Sequence, residues 1–246
     1  MQTLPQELVD KVIDELLELN GYKAHRIAPY SLISRAWAPR IQQHRFRTLY
    51  FDSSGELQKW CKRVTPDPAG VSRHTHRLVF FCIDTLEGCE AHIRAFTRVK
   101  NLDIVGCNFL LSPSVAECFT PMGSGLIRLR ICESETTSRI IISLLAGFPQ
   151  LKSFTTIFFK VTDDTSGTSV APRIPFFEGN NSVALHFCDN QWDPPPDWIP
   201  PSARFGNLEI STTYFLHKSV LVNQWLSGSS TTLSSLKIYG DPGGRC

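Results

Sequence analysis

Along residues 6–19 the apolar side chains recur at three- and four-residue steps, the spacing of one helical face. At about 100° per residue, Leu8, Val9, Val12, Ile13, Leu16, Leu17 and Leu19 fill close to half of the circumference. Glu7, Asp10, Lys11, Asp14, Glu15 and Glu18 take the rest. A surface helix needs an apolar stripe only a little over about 100° wide, so this one carries more apolar surface than a single neighbour covers. Pro5, Pro29 and Pro39 suit first turns and Gly21 a helix end. Three short helices are therefore predicted over residues 1–47, with a polar connection at 20–27. The second carries Leu32, Ile33, Ala36 and Trp37 on one face; the third holds Ile41 and reaches Phe46.

Beyond residue 46 the texture changes to a repeat: apolar, two others, apolar, one other, apolar. It occurs as Phe46/Leu49/Phe51, Val99/Leu102/Ile104, Leu126/Leu129/Ile131, Phe205/Leu208/Ile210 and Leu233/Leu236/Ile238, with weaker copies at Leu78/Phe80, Leu151/Phe154 and Leu185/Phe187. The middle anchors at 49, 78, 102, 129, 154, 185, 208 and 236 are 29, 24, 27, 25, 31, 23 and 28 residues apart. A period of about 20–29 residues with one short strand each is that of leucine-rich repeats. Helices are predicted between strands: one capped by Asp84 or Thr85 with Leu86, Cys89, Ile93 and Phe96; one starting at Ser112-Pro113; one capped by Ser138 and running to Ala146; one over 217–227. Stacked strand–helix units bury their faces on one another. Two stretches break the rhythm. Residues 162–173 read as a polar mobile loop, and the prolines of 189–202, around Trp192 and Trp198, exclude a helix. The chain stops at residues 241–246 directly after a repeat strand, where a solenoid usually carries a polar cap; the expectation is a shortened or incomplete chain.

Composition narrows the function classes. With 246 residues, 42% apolar, 20% charged and a net charge of +2, the chain reads as a soluble globular protein with no general pull toward nucleic acid or membranes. Acids dominate residues 1–20, whereas 21–50 hold Lys23, Arg26, Arg35, Arg40, Arg45 and Arg47 and no acid. No secretory signal or membrane-length apolar run is present, so the eight cysteines are expected as reduced thiols of a cytoplasmic or nuclear protein. The sequon Asn180-Asn181-Ser182 is then without meaning.

Chemical signatures are absent. His74, His76, Cys82 and Cys89 match no zinc spacing, and no Cys-x-x-Cys occurs. There is no phosphate-binding glycine loop, no Gly-x-Ser-x-Gly and no His-Glu-x-x-His. The arginines at 35, 40, 45 and 47 follow a helix–turn–helix-like pattern, but the acidic first helix cancels their field. No metal, cofactor, catalysis or nucleic-acid binding is expected.

Two ordered motifs then carry a resemblance. Leu4, Pro5, Glu7, Leu8, Val12 and Leu16 match the pattern Leu-Pro-x-Glu-apolar-x-x-x-apolar-x-x-x-Leu, and Leu32, Ile33, Ser34, Arg35 and Trp37 match apolar-Val-Ser-Arg-x-Trp with Ile in place of Val. The first fifth of the chain thus resembles an F-box, and the remainder resembles the leucine-rich-repeat tails of many F-box proteins, especially those of mushroom-forming fungi. Cys107 stands where such repeats favour Asn or Cys. The resemblance implies an all-α three-helix F-box at 1–47, then an α/β leucine-rich-repeat-like solenoid of parallel strands at 48–246. It also implies a Skp-type adaptor as partner, joining the chain to a cullin–RING (SCF-type) ubiquitin ligase, and an unknown protein substrate on the repeats.

The adaptor face is then expected at Leu4, Pro5, Leu8, Val12, Leu16, Ile33, Ser34 and Trp37, with Val9, Ile13 and Ile41 holding the helices together. Substrate-facing candidates are Asp103, Arg128, Arg130, Trp192 and Trp198, with Glu209 and Lys237 on the same strand faces. The alternative is a non-catalytic repeat scaffold with no role in ubiquitination.

Overall fold

The computed structural model describes residues 5–19, 28–32, 35–67, 70–112, 114–162, 184–188, 191–192, 205–211 and 219–239. Leu4, Ile33, Ser34, Trp198, the 162–173 loop beyond Thr162, most of 189–202 and the C-terminal residues lie outside them. The chain opens with helix α1 (Gln6–Leu19), a 3-10 turn at Ala28–Leu32 and helix α2 (Ala38–Phe46). The second of the three predicted helices is therefore only this 3-10 turn. Pro39 lacks the N–H that a helix running through residues 31–40 would need to bond back to residue 35, and the chain restarts as α2 with that proline in its first turn.

Strand β1 (Thr48–Phe51) begins two residues after α2 ends. It is followed by α3 (Ser54–Arg63), β2 (Arg77–Phe81), α4 (Glu90–Arg94), β3 (Asn101–Val105), α5 (Val115–Phe119) and β4 (Arg128–Cys132). Then come β5 (Glu135–Thr137), α6 (Ser138–Ala146), β6 (Ser153–Ile157), β7 (Lys160–Thr162), β8 (Ala184–Cys188), β9 (Gln191–Trp192), β10 (Asn207–Ser211), α7 (Ser219–Gly228) and β11 (Ser235–Tyr239). Eight strands form one sheet in the order β1-β2-β3-β4-β6-β8-β10-β11, and every pair is parallel. The protein is thus an α/β chain built on a parallel sheet, an arrangement compatible with a strand–helix solenoid.

Register explains why the repeat pattern was visible. Leu49, Leu78, Leu102, Leu129, Phe154, Leu185, Leu208 and Leu236 are Cα partners from strand to strand. The middle anchors of the sequence repeat are one continuous row. Two residues on, Phe51, Phe80, Ile104, Ile131 and Thr156 form a second row on the same side. Side chains two apart share a face; Phe51, Leu78, Phe80, Leu102, Ile104, Leu129, Ile131, Phe154 and Thr156 are all buried. Helices cover this side, with Leu57, Ile93, Val115, Phe119, Ile141, Leu144 and Leu145 joining the same core. Aromatic rings knit its first turns: Phe51 stacks on Phe80 with centroids 5.9 Å apart, Trp60 meets Phe51 edge-on at 5.4 Å and stacks on Phe96 at 5.7 Å.

The residue after each of four strands turns left-handed: Cys82 (φ 51), Gly106 (φ 62), Glu133 (φ 48) and Phe158 (φ 48). At this corner the N–H groups of Cys82, Gly106 and Glu133 donate to the carbonyls of Val105, Cys132 and Ile157 at 2.8–2.9 Å, each on the next strand. One residue further, Ile83 N–H donates to Cys107 Sγ at 3.4 Å, and Cys107 N–H donates to Ser134 Oγ at 3.1 Å. Cys107 thus joins one turn to its neighbour, and Ser134 repeats the role, its hydroxyl donating to Cys132 O at 2.7 Å. After the corner, β5, β7 and β9 form a second, three-stranded parallel sheet, held in part by the buried Thr136 hydroxyl, which donates to Leu110 O at 2.7 Å.

Several local expectations shift. Helix α4 starts at Glu90 rather than after Asp84 or Thr85, because Gly88 takes φ +74, which no helix tolerates. Leu86, Cys89, Ile93 and Phe96 are nonetheless all buried. The cap of α6 is Thr137, whose hydroxyl accepts from Ile140 N–H at 3.4 Å, not Ser138. Helix α3 is an addition to the expected elements, although Ser53 at its N-cap accepts from Glu56 N–H at 3.3 Å while the Glu56 carboxylate accepts from Asp52 N–H at 3.0 Å. Ser-x-x-Glu is the sequence signature of such a start.

The corner gives an opposed pair of outcomes. A Cβ on Gly106 would add the left-handed penalty of about 1–2 kcal/mol and would lie 3.3 Å from Cys82 Sγ. Gly106→Val is expected to lower the urea-unfolding free energy by at least that amount, whereas Glu133→Gly, at an exposed corner, is expected to leave it equal or raise it by up to about 1 kcal/mol.

Candidate functional site

Two surfaces place the sequence-selected residues. On α1, Val9, Ile13 and Leu17 turn inward with Ile41 of α2 to make a small core separate from the main one, and Leu16 and Trp37 pack against it. The apolar arc of α1 is therefore divided. The buried share closes the helix pair; the remaining share, Leu8 (51% exposed), Val12 (43%) and Leu19 (83%), faces outward, as does Leu32 (88%) on the adjoining 3-10 turn. Pro5 is exposed at the start of α1, where its carbonyl accepts from Leu8 N–H at 3.1 Å and Val9 N–H at 3.3 Å. Trp37 is half-buried, its ring 6.5 Å from Tyr30 at a tilt of 42°. Leu16 and Trp37 thus belong partly to the internal packing, while Leu8 and Val12 are free for a neighbour.

An ion pair also links the two helices. The Asp14 carboxylate accepts from Arg40 Nε at 2.8 Å and from a second Arg40 nitrogen, and lies 2.7 Å from His44 Nε2. Gln6 Nε2 adds a hydrogen bond to Ala36 O at 3.1 Å. The Arg40 guanidinium holds the Asp14 carboxyl below its usual range, with His44 contributing, while partial burial opposes the shift.

The second surface is the sheet face turned away from the core. Its rows run through Thr48, Arg77, Asn101, Arg128 and Ser153, and through Tyr50, Val79, Asp103, Arg130 and Thr155. Arg128 and Arg130 are exposed. Asp103 is only 8% exposed and accepts from Arg77 Nε at 2.8 Å and another Arg77 nitrogen at 2.6 Å. Of the five substrate-facing candidates, Asp103 is thus committed to an internal pair, Trp192 lies in the short strand β9 apart from this face, and Trp198 is outside the described residues. The exposed pair Tyr50 and Phe81, stacked at 6.4 Å and 23°, escaped the sequence reading. The alternation that puts every second strand residue outward was the available signal.

Buried thiols offer no nucleophile. Burial pushes Cys107 up to about 11, and burial with the neighbouring Cys89 pushes Cys61 up to about 12, so both stay protonated at neutral pH. His74 and His76 do not converge with Cys82 and Cys89: His74 Nε2 accepts from Arg73 Nε at 2.9 Å, and His76 Nδ1 lies 2.9 Å from His74 O. Among the described residues no three His, Cys, Asp or Glu side chains form a metal-sized cluster, and no helix is long and apolar enough to cross a membrane. A cleft of about 460 Å³ lies between the turns after β2 and β3, with Asp84, Glu87, Glu90, Phe109 and Leu111 on its walls; Asn108 Nδ2 donates to Asp84 at 2.9 Å.

The Asp14 pair predicts a pH response with a definite sign. A carboxyl whose folded pKa is depressed stabilises the fold above its unfolded pKa, near 3.8, and that contribution disappears as pH falls through the lower folded value. With the Asp14 side chain 43% exposed, the effect is under about 1 kcal/mol. Hydrogen exchange in α1 should lose protection on acidification in the wild-type chain, and Asp14→Asn should start less protected at neutral pH and respond less to acid.

No protein-family model matches this chain, and comparison with curated proteins and with solved structures likewise finds no match.

Proposed function

We propose that this chain is the substrate-receptor subunit of an SCF-type cullin–RING ubiquitin ligase, with residues 1–47 an F-box that binds a Skp-type adaptor and residues 48–246 a leucine-rich-repeat-like region that receives the target protein. The chain itself carries no chemistry in this reading; it works in the cytoplasm or nucleus by holding two proteins at once. The observation that carries the proposal is the divided face of α1. From Glu7 onward the motif Leu4-Pro5-x-Glu7-Leu8-x-x-x-Val12 falls on a helix that buries Val9, Ile13 and Leu17, while Leu8 and Val12 are exposed. Exposed leucine and valine at i and i+4 are what a helix presents to a partner groove. The repeat period and the stacking of Leu49 through Leu236 in one row support the second half.

The test is capture of a purified Skp-type adaptor by the full chain. Burying Leu8 in an interface is worth about 1.5–3 kcal/mol, and a charge there adds a desolvation cost. Leu8→Asp combined with Pro5→Ala should therefore weaken adaptor binding at least about tenfold while leaving the circular-dichroism melt of this half-exposed position nearly unchanged. Undiminished capture by the double variant removes the assignment of that face. Adaptor binding by a chain that supports no target ubiquitination in a reconstituted ligase returns the protein to the scaffold class.

A further inference from the structure

The outer face of the parallel sheet carries an unbalanced charge. Arg128 and Arg130 stand two residues apart on β4, so their side chains leave the same face about 7 Å from each other. Both are exposed, and among the described residues neither forms an ion pair. The acid within these rows, Asp103, is in register with Arg130, yet its carboxylate accepts both of its short hydrogen bonds from Arg77. Asp103 therefore neutralises Arg77 and leaves Arg128 and Arg130 of β4 as the unbalanced cations of these rows. Glu133, the other acid nearby, sits past the far end of β4 at the corner.

A second feature shares this face. Tyr50 on β1 and Phe81 on β2 form the stacked, solvent-exposed pair, 52% and 37% exposed. β1 and β4 are three strand spacings apart, about 14 Å, the reach of roughly four residues of extended chain. An apolar platform at one end and a cationic pair at the other, spread across several strands, suit an extended polypeptide rather than a compact small molecule. We infer that this face receives an acidic extended segment of a partner protein, its carboxylates over Arg128 and Arg130 and an apolar side chain of the same segment on Tyr50 and Phe81.

Nucleic acid is the weaker occupant on charge alone. A chain of net charge +2 with five acids in its first twenty residues lacks the broad basic field that backbone binding needs. The inference rests on the reading of the repeat region as the receiving surface for a target, and it names the chemistry of that target.

The test is fluorescence anisotropy of a labelled glutamate-rich peptide with one central leucine, titrated with the full chain at low ionic strength. The expected result is saturable binding that weakens with added salt. Arg128→Glu with Arg130→Glu should weaken it at least about tenfold, since both charge-assisted contacts to the peptide's carboxylates are replaced by like-charge repulsion. Lys59→Glu with Lys62→Glu, the same charge change on the exposed side of α3, should leave the affinity within about twofold. Tyr50→Ser should weaken binding of the leucine peptide more than that of its glycine-substituted form. Both double variants are checked for an unchanged thermal melt, and Arg130→Gln alone, which keeps the residue's size, should already weaken binding. No saturable binding, equal loss in the two charge-reversal variants, or tighter binding of a single-stranded oligonucleotide of equal charge would overturn the inference. Capture of the Skp-type adaptor uses α1 and is scored separately, so failure on the sheet face leaves the adaptor result standing, and the reverse.

Discussion

Everything in this molecule hangs on the row of anchor positions that runs in register from Leu49 to Leu236 through eight strands, with Leu78, Leu102, Leu129, Phe154 and Leu208 buried in it. A single strand with one leucine and one phenylalanine or isoleucine on its inner face buries almost nothing by itself. Parallel pairing at identical register puts each of those side chains against its copies on the two neighbouring strands, and the intervening helices close the other side. The core exists only as the sum of turns, so its cost and its stability are shared along the stack. That is also why the strands of the eight-stranded sheet are uniform at four or five residues: the stack needs only two inward positions per turn.

The return path is set at the end of each strand. A left-handed residue turns the chain at Cys82, Gly106, Glu133 and Phe158, where side chains other than glycine are strained. The strain persists because the N–H groups of Cys82, Gly106 and Glu133 feed the backbone ladder from one turn to the next, and because Cys107 and Ser134 join successive turns by side-chain hydrogen bonds. Buried polar groups at these places are thus satisfied by neighbours in the stack rather than by water, which an interior position requires.

Against this rigid stack the two exposed surfaces differ in kind. The helix pair at the N-terminus is small, its core four buried residues, and Asp14 with Arg40 and His44 links its helices at the surface. A unit of that size leaves half of an amphipathic helix uncovered unless something else covers it. The outer sheet face is broad and polar, with its charge balance tipped by one internal pairing. In the proposed function these become the two ends of a bridge, one apolar and one charged, held at a fixed separation by a core that takes no part in either contact.

The sequence by itself determined the repeat. Eight anchors at regular spacing, seven of them with a second apolar residue two positions on, predict a buried strand face, and they emerged as one row in register. It determined the split of α1 as well: Val9 and Ile13 pair with Ile41, leaving Leu8 and Val12 on the other side of the same helix, because helical periodicity assigns faces without tertiary information. Helix α3 was legible too, in Ser53 and Glu56, but its signal was local capping rather than periodicity. Other features were decided only by the folded chain. Glu135-Thr136-Thr137 is polar and three residues long, and it becomes a strand because β7 lies beside it in the next turn. Glu133 and Phe158 adopt a glycine conformation because the turns above and below demand a corner there. Asp103 looked like a free charge among arginines, and the structure gives it to Arg77. Pairings of this sort depend on which residues of different turns come within hydrogen-bond reach, a matter of register across some 25 residues, and no local pattern encodes it.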